Sequence, residues 1–285
     1  MMHRQPRLMG RPTRGAAIVS ISMILATVSL LVVSPISAAA APRASSMVRT
    51  PIPKALLESL TRPRTQESTV VGPGGLTMRP FVEVKGRPII LNPKKPELLF
   101  EGFEYCPFCA PDAWSLIMAL SRFGTFTGLK LIRSSSDDVY PDTRFFTFYG
   151  SVFRSPFVDF KPLELESLPG RNLQRPRGLI KAVIDRYNVE GGAPFVYLNG
   201  RTVPGALFSP SILHRGNGSQ APALTFAEIR HRLNHPNGAI AKNIIGAANW
   251  ISALVCDVDG MRPLPVCGDP SIVRLSRRLG GVGPR

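Results

Sequence analysis

The sequence predicts an α/β protein, a central mixed sheet flanked by helices, with a β-rich insertion and extra C-terminal helices. Three observations point that way. Strand-like periodicity gives way to helix-like periodicity across Cys106-x-x-Cys109, a second helical pattern precedes a hairpin signal at Asn199–Gly200, and two helical runs follow it. With 285 residues, 44% of them hydrophobic, the chain has enough apolar material for one substantial core or two modest domains.

At the N-terminus, Arg4, Arg7, Arg11 and Arg14 precede an uncharged apolar run at 16–34, which the small residues Ala38 to Ala41 follow. This is the pattern of an export signal. The run is nearly long enough to span a bilayer, while the alanines fit a cleavage site, so residues 1–41 read either as a removed signal or as a retained membrane anchor. In both cases the arginine bias sends the remainder out of the cytoplasm, secreted or anchored to the cell membrane through residues 16–34. Residues 42–75, rich in Pro, Ser, Thr and Gly apart from a short helical pattern at 53–60, read as a linker. The folded domain is expected over 76–268, with the insertion at about 137–175 and a basic tail at 269–285.

Within the domain, "PFVEVKGRPIIL" (80–91) reads as a hairpin turning at Lys85–Gly86, and "PELLFEGF" (96–103) as a buried strand. After the cysteine pair, Trp114, Ile117 and Met118 supply the apolar face of a helix that Gly124 ends. "LKLIRSSS" (129–136) is the next strand candidate. "RFFTFYGSVFRSPFVDF" (144–160) carries six phenylalanines in seventeen residues and reads as β-rich core, with an aromatic binding surface as the alternative. "RPRGLIKAVIDRYNV" (175–189) is a helix, "GGAPFVYLNGRTVPGA" (191–206) a hairpin, and helices at 225–234 and 238–256 close the pattern, the first opened by a Thr225–Glu228 capping box.

The formal net charge is +16, with six of the arginines in the acid-free residues 1–50. The excess elsewhere is diffuse, without zinc-finger spacing or an aromatic-rich basic strand, so no nucleic acid partner is expected. There are four cysteines, Cys106, Cys109, Cys256 and Cys267. In an exported chain an even count reads as disulfide chemistry, and two close pairs are the natural partition of three possible connectivities. The expected role of Cys256–Cys267, with ten residues between them, is a structural disulfide holding the tail to the last helix; a second redox pair is the alternative. Zinc would need Cys106 and Cys109 to meet His231 and His235 from more than a hundred residues away. No metal and no cofactor are therefore expected. His214 reads as a lone surface residue.

The order strand, CxxC, helix, strand, insertion, helix, hairpin, helix resembles the thioredoxin fold, and "EYCPFC" with "GGAPFVYLNG" makes the resemblance specific. "CPFC" is similar to the dithiol of glutaredoxins. A finer resemblance over about residues 50–267, carried by "PELLFEGFEYCPFCAPDAWSLIMALSRFGTF" and "SSSDDVYPDTRFFTFYGSVFRSPFVDFKPLELE", is to the prokaryotic domain of unknown function 929 family. The thioredoxin-like resemblance implies that Pro194, after Ala193, is a cis-proline facing the cysteines, where backbone groups of residue 193 receive an extended substrate.

The chemistry of the spacing is independent of that likeness. A CxxC at a helix start leaves the first sulfur near free N–H groups and the positive end of the dipole, so Cys106 is the expected nucleophile and Cys109 the more buried resolving thiol. Such motifs carry thiol pKa values of about 3.5 to 7.5 against about 8.5 for a free thiol. Pro107 presets the first turn, and Phe108 offers an apolar edge to substrate. One departure matters. Thioredoxins hold a buried acid six residues before the first cysteine, and here that residue is Phe100; Glu101 and Glu104 are the nearby carboxylates, expected to be exposed at the strand end, with a substitute general base as the alternative role for either. The expected function is an exported thiol–disulfide oxidoreductase acting on protein thiols or disulfides with an unidentified redox partner. The alternatives are a binding or scaffold domain whose CxxC is a permanent staple, and a dithiol metal carrier.

Overall fold

The computed structural model describes residues 48–76, 80–216 and 220–280. The expected export signal, with its apolar run and alanines, lies outside the described residues. A short strand β1 (Thr50–Pro51) and two helices, α1 (Lys54–Thr61) and α2 (Thr65–Val71), come first. Leu56, Leu60 and Val71 are buried in the main core, so this stretch is a packed part of the domain and not a linker. Its proline has a positional role that composition hides: Arg62, held extended ahead of Pro63, ends α1.

The hairpin expected at Lys85–Gly86 does not form. β2 (Val82–Glu83) pairs instead with the distant strand β12 (Arg201–Pro204), and residues 84–96 run on without a strand. β3 (Glu97–Gly102) is buried on both faces: Leu98 and Phe100 enter the main core, and Leu99 enters a smaller core behind the sheet. α3 (Cys109–Leu120) follows with every residue buried, packed against the long helix α6 (Ala239–Val258) and against the strand at 144–147.

The strand expected at 129–136 exists but lies elsewhere. β5 (Lys130–Arg133) pairs with β1 and β6 (Arg144–Thr147) in a separate three-stranded sheet, and β4 (Thr125–Thr127) pairs with β7 (Val152–Arg154). The parallel neighbour of β3 is β8 (Asp159–Glu164), so the insertion occupies about 125–158 and not 137–175. The phenylalanines there are core: Phe145, Phe146 and Phe148 are buried, with the Phe148 ring edge-on to Phe100 and Phe160 at centroid distances of 5.4 and 4.9 Å.

After the hairpin β9 (Glu166–Leu168) and β10 (Arg171–Asn172), α4 (Gly178–Tyr187) lays Val183 and Ile184 on the smaller core against Leu99, Phe195 and Tyr197. β11 (Phe195–Leu198) runs antiparallel to β3 and turns into β12 through Asn199 and Gly200, both at positive φ, 44° and 89°. The result is a five-stranded mixed sheet in the order β2-β12-β11-β3-β8.

Beyond the sheet, α5 (Phe226–Arg232) opens on the Thr225–Glu228 capping box, and α6 fills the core as a mostly buried helix, although its length and composition alone would suit a membrane. α7 (Leu264–Cys267) is tied to the end of α6 by the Cys256–Cys267 disulfide, Cα to Cα 5.5 Å. α8 (Pro270–Arg278) corrects the expectation of a tail: Ile272 and Leu275 are buried, because the charges of "RLSRR" fall on one helical face and the aliphatics on the other.

Candidate active site

β3 ends at Gly102 and α3 begins at Cys109; between them the chain makes a tight turn in which Cys106 N–H donates to Phe103 O and Cys109 N–H to Cys106 O. The turn carries Cys106 to the helix entrance and sends Cys109 inward. Both are free thiols, 9% and 1% exposed. Cys106 Sγ lies 3.7 Å from Ala193 O, and the Ala193–Pro194 peptide is cis. Of the sequence-predicted residues, Ala193 is thus brought across from Cys106, and Phe108, between the two cysteines in the chain, is 38% exposed.

The two sulfurs are electrostatically unequal. A hydrogen bond from the Cys109 thiol, joined by the backbone N–H groups of Cys109 and Phe108, holds the Cys106 thiol below its usual value against the opposing effect of burial. Burial pushes Cys109 well above it, and the adjacent Cys106 sulfur adds to that rise. Phe103 N–H donates to Cys109 Sγ at 3.5 Å, which fixes the inner sulfur in place.

A wall from the insertion packs against Phe108, beside the cysteines in the turn. The Phe108 ring meets Tyr140 edge-on at 5.8 Å, and Tyr140 packs on the His214 ring at 5.6 Å. His214 is 4% exposed and not a surface residue: its Nδ1 donates to Ala221 O at 2.6 Å, and its Nε2 lies 2.7 Å from Thr143 Oγ1, which locks the loop around Tyr140. Ser135 N–H donates to Tyr105 O, joining that loop to the cysteine turn.

The carboxylates differ most from expectation. Glu101 and Glu104 are 3% and 0% exposed. Glu101 alternates onto the rear face of β3, where Asn188 Nδ2 donates to it at 3.0 Å, away from the dithiol. Glu104 is held by Arg49 through Nε at 2.8 Å and Nη2 at 2.6 Å. An acid on the sheet face that the inner sulfur approaches comes from β8. Glu164 is the parallel register partner of Gly102, so its side chain leaves the sheet on the same face, and Cys109 Sγ stands 3.3 Å from where a Cβ on Gly102 would be. Glu164 is 1% exposed, accepts a hydrogen bond from Phe148 N–H at 3.0 Å, and has its pKa pushed up to about 8 by burial. Asp112, in the first turn of α3, is fully buried and its carboxyl is likewise raised well above the usual range by burial; one oxygen accepts from Leu207 N–H and the other has no protein partner among the described residues.

Sequence reasoning missed Glu164, Asp112 and Tyr140. A signal for Glu164 is present: Phe160, Pro162 and Glu164 share one parity of a strand, placing a carboxylate on an apolar face. The strand candidate at 129–136, nearer in sequence to the dithiol, masks it by competing for the place beside β3. Among the described residues no three His, Cys, Asp or Glu side chains gather as a metal site.

A family model described as Domain of unknown function (DUF929) matches residues 81–178, a DUF929 domain that contains the dithiol, Tyr140 and Glu164 and ends before Ala193–Pro194. Neither the curated proteins nor the solved structures include a match to the chain.

Proposed function

We propose that the chain is an exported thiol–disulfide oxidoreductase with a thioredoxin-like core, exchanging disulfides with protein substrates through Cys106 and Cys109. The observation that carries the reading is the unequal pair: an outer sulfur favoured as thiolate beside the backbone of Ala193, and an inner sulfur kept as thiol beneath it. The parallel pair β3–β8, joined through α3, with β11 and β12 antiparallel beyond it, supports the thioredoxin-like core.

In the reducing direction the Cys106 thiolate attacks a substrate disulfide, forming a mixed disulfide and expelling one substrate thiolate. The Cys109 thiol passes its proton to the Glu164 carboxylate, and the resulting thiolate attacks the Cys106 sulfur. The Cys106–Cys109 disulfide forms as the second substrate thiolate leaves. Oxidation of substrate dithiols is the same sequence reversed. A carboxyl with a pKa of about 8 is matched to this transfer, since it is ionised often enough near neutrality to accept a proton yet neutral often enough not to oppose the Cys106 thiolate. The partners are then protein thiols or disulfides outside the cytoplasm, and the membrane if residues 16–34 remain attached.

The test is trapping. Cys109→Ser cannot resolve the mixed disulfide and is expected to accumulate reducible covalent complexes, which Cys106→Ser does not form. A permanent-staple reading draws on the low exposure of Cys106, 9%; it predicts that neither variant traps anything and that the folded, reduced protein resists alkylation.

A further inference from the structure

At the far end of α3 from the dithiol, a cavity of about 310 Å³ opens between the α1–α2 corner, the C-terminal turn of α3 and the α7–α8 segment, at the lower end of the range for small-ligand sites. Leu60, Met118 and Ile272 give it an apolar wall, and Arg62, Arg64 and Arg122 line it as well. The charges do not balance. Glu67 pairs with Arg62 at 2.5 Å and with Arg64 at 3.3 Å, and Asp269 is engaged as the N-cap of α8, accepting from Ser271 N–H.

Arg122 has only neutral partners. Its Nη1 donates to Ser252 Oγ at 2.9 Å, and its Nη2 donates to Ser68 Oγ at 3.1 Å and Asn249 Oδ1 at 2.9 Å. Those bonds use one hydrogen of Nη1 and both of Nη2, which leaves Nε–H and one Nη1–H; Nε makes no hydrogen bond among the described residues. Burial lowers the Arg122 pKa to about 10, with Asp269 opposing the drop, so the group is still a cation at neutral pH. Two polar atoms of the lining, Ser121 Oγ and Arg64 Nε, are buried without a partner among the described residues. Arg122 is half-buried and shares the lining with two other arginines and a single acid, Asp269, so an anion that reaches its remaining N–H groups gains a charge-assisted hydrogen bond.

We propose that this cavity binds a small organic anion, its carboxylate or phosphate head against Arg122 and a short apolar tail against Leu60, Met118 and Ile272. The site is separate from the dithiol and does not depend on how the dithiol is used.

Calorimetric titration of the full-length chain with hexanoate and hexyl phosphate tests it, with hexanol and acetate as probes lacking the charge and the tail. At least one of the two amphipathic anions is expected to bind tenfold or more tightly than hexanol and than acetate, and whichever binds reports the preferred head group. Arg122→Gln is expected to weaken that binding at least tenfold. Because this variant disturbs a buried network, Thr61→Trp on the cavity rim, which leaves the Arg122 bonds in place, is the second arm and is expected to block entry. Absence of binding by both anions, equal affinity for hexanol, or undiminished binding in folded Arg122→Gln or in Thr61→Trp would overturn the proposal.

Discussion

The two sulfurs of the dithiol have different fates because one hydrogen bond and one burial step separate them. The leading cause of the low Cys106 pKa is the thiol of Cys109, so removing that donor should raise it: Cys109→Ala is expected to shift the pH midpoint of Cys106 alkylation upward, while Cys109→Ser, which keeps a hydroxyl donor, shifts it less. Equal midpoints in the two variants would assign the effect to the helix entrance instead. Glu164 makes a second expectation at this scale, on stability. Its pKa rises from 4.5 to about 8 on folding through burial, so between those values the native state binds a proton that the unfolded chain has released. Stability therefore falls as pH rises through that window and is level in this contribution above it. Glu164→Gln, isosteric and always neutral, is expected to flatten the pH dependence and to be the more stable protein at pH 8 by a few kcal/mol. Denaturant unfolding at pH 5 and pH 8 measures both, and a parallel dependence in the two proteins would place the proton elsewhere.

At the scale of elements, α6 organises the end of the domain that composition reads as linker. Gly246 lets the α2–α6 corner close, since a Cβ there would stand 2.7 Å from Gly74 Cα and 2.9 Å from Pro73 O, and backbone atoms cannot rotate away. One turn on, Asn249 Nδ2 donates to Ser68 O at 3.0 Å and Gly72 O at 2.8 Å, satisfying the C-terminal carbonyls of α2. Gly246→Ala is expected to destabilise by about 1–3 kcal/mol through this overpacking, measured as a lower denaturation midpoint, with Cys106 alkylation unchanged. Such a contact is invisible in a single sequence: a glycine in an apolar helix carries no mark of what approaches it. The elements that were legible carry their own local signal. The capping box at Thr225, the Asn199–Gly200 turn and the β3–CxxC–α3 passage are settled by residues within a few positions of one another. The misread ones, β5 and the absent hairpin at Lys85–Gly86, and the missed Glu164 depend on which strand lies beside which. β5 and β8 are both short and partly apolar, and only the long-range pairing of β8 with β3 tells them apart.

For the whole molecule, the question is whether its two cysteine pairs form one redox path. α3 separates them. Cys106 precedes its first turn, while Met118 near its last turn and Arg122 just beyond line the same cavity as Pro265 and Val266, beside Cys267. Twelve helical residues span about 18 Å, several times the reach of a direct sulfur–sulfur attack. Cys256 and Cys267, both 0% exposed, are thus isolated from solvent, their disulfide joins α7 to the end of α6, and a purely structural role is the expectation to test. Closing so short a loop stabilises by about 2–3 kcal/mol in the chain-entropy model. The double variant Cys256→Ala, Cys267→Ala is expected to lose about that much by denaturant unfolding, while its Cys106–Cys109 reduction potential and its rate of substrate trapping in the Cys109→Ser background stay as in the parent. An altered potential, or a slower trapping rate in a variant that still unfolds cooperatively, would mean that electrons or strain do pass along α3, and that the chain works as a two-stage relay in place of a single exchange site on a stapled frame.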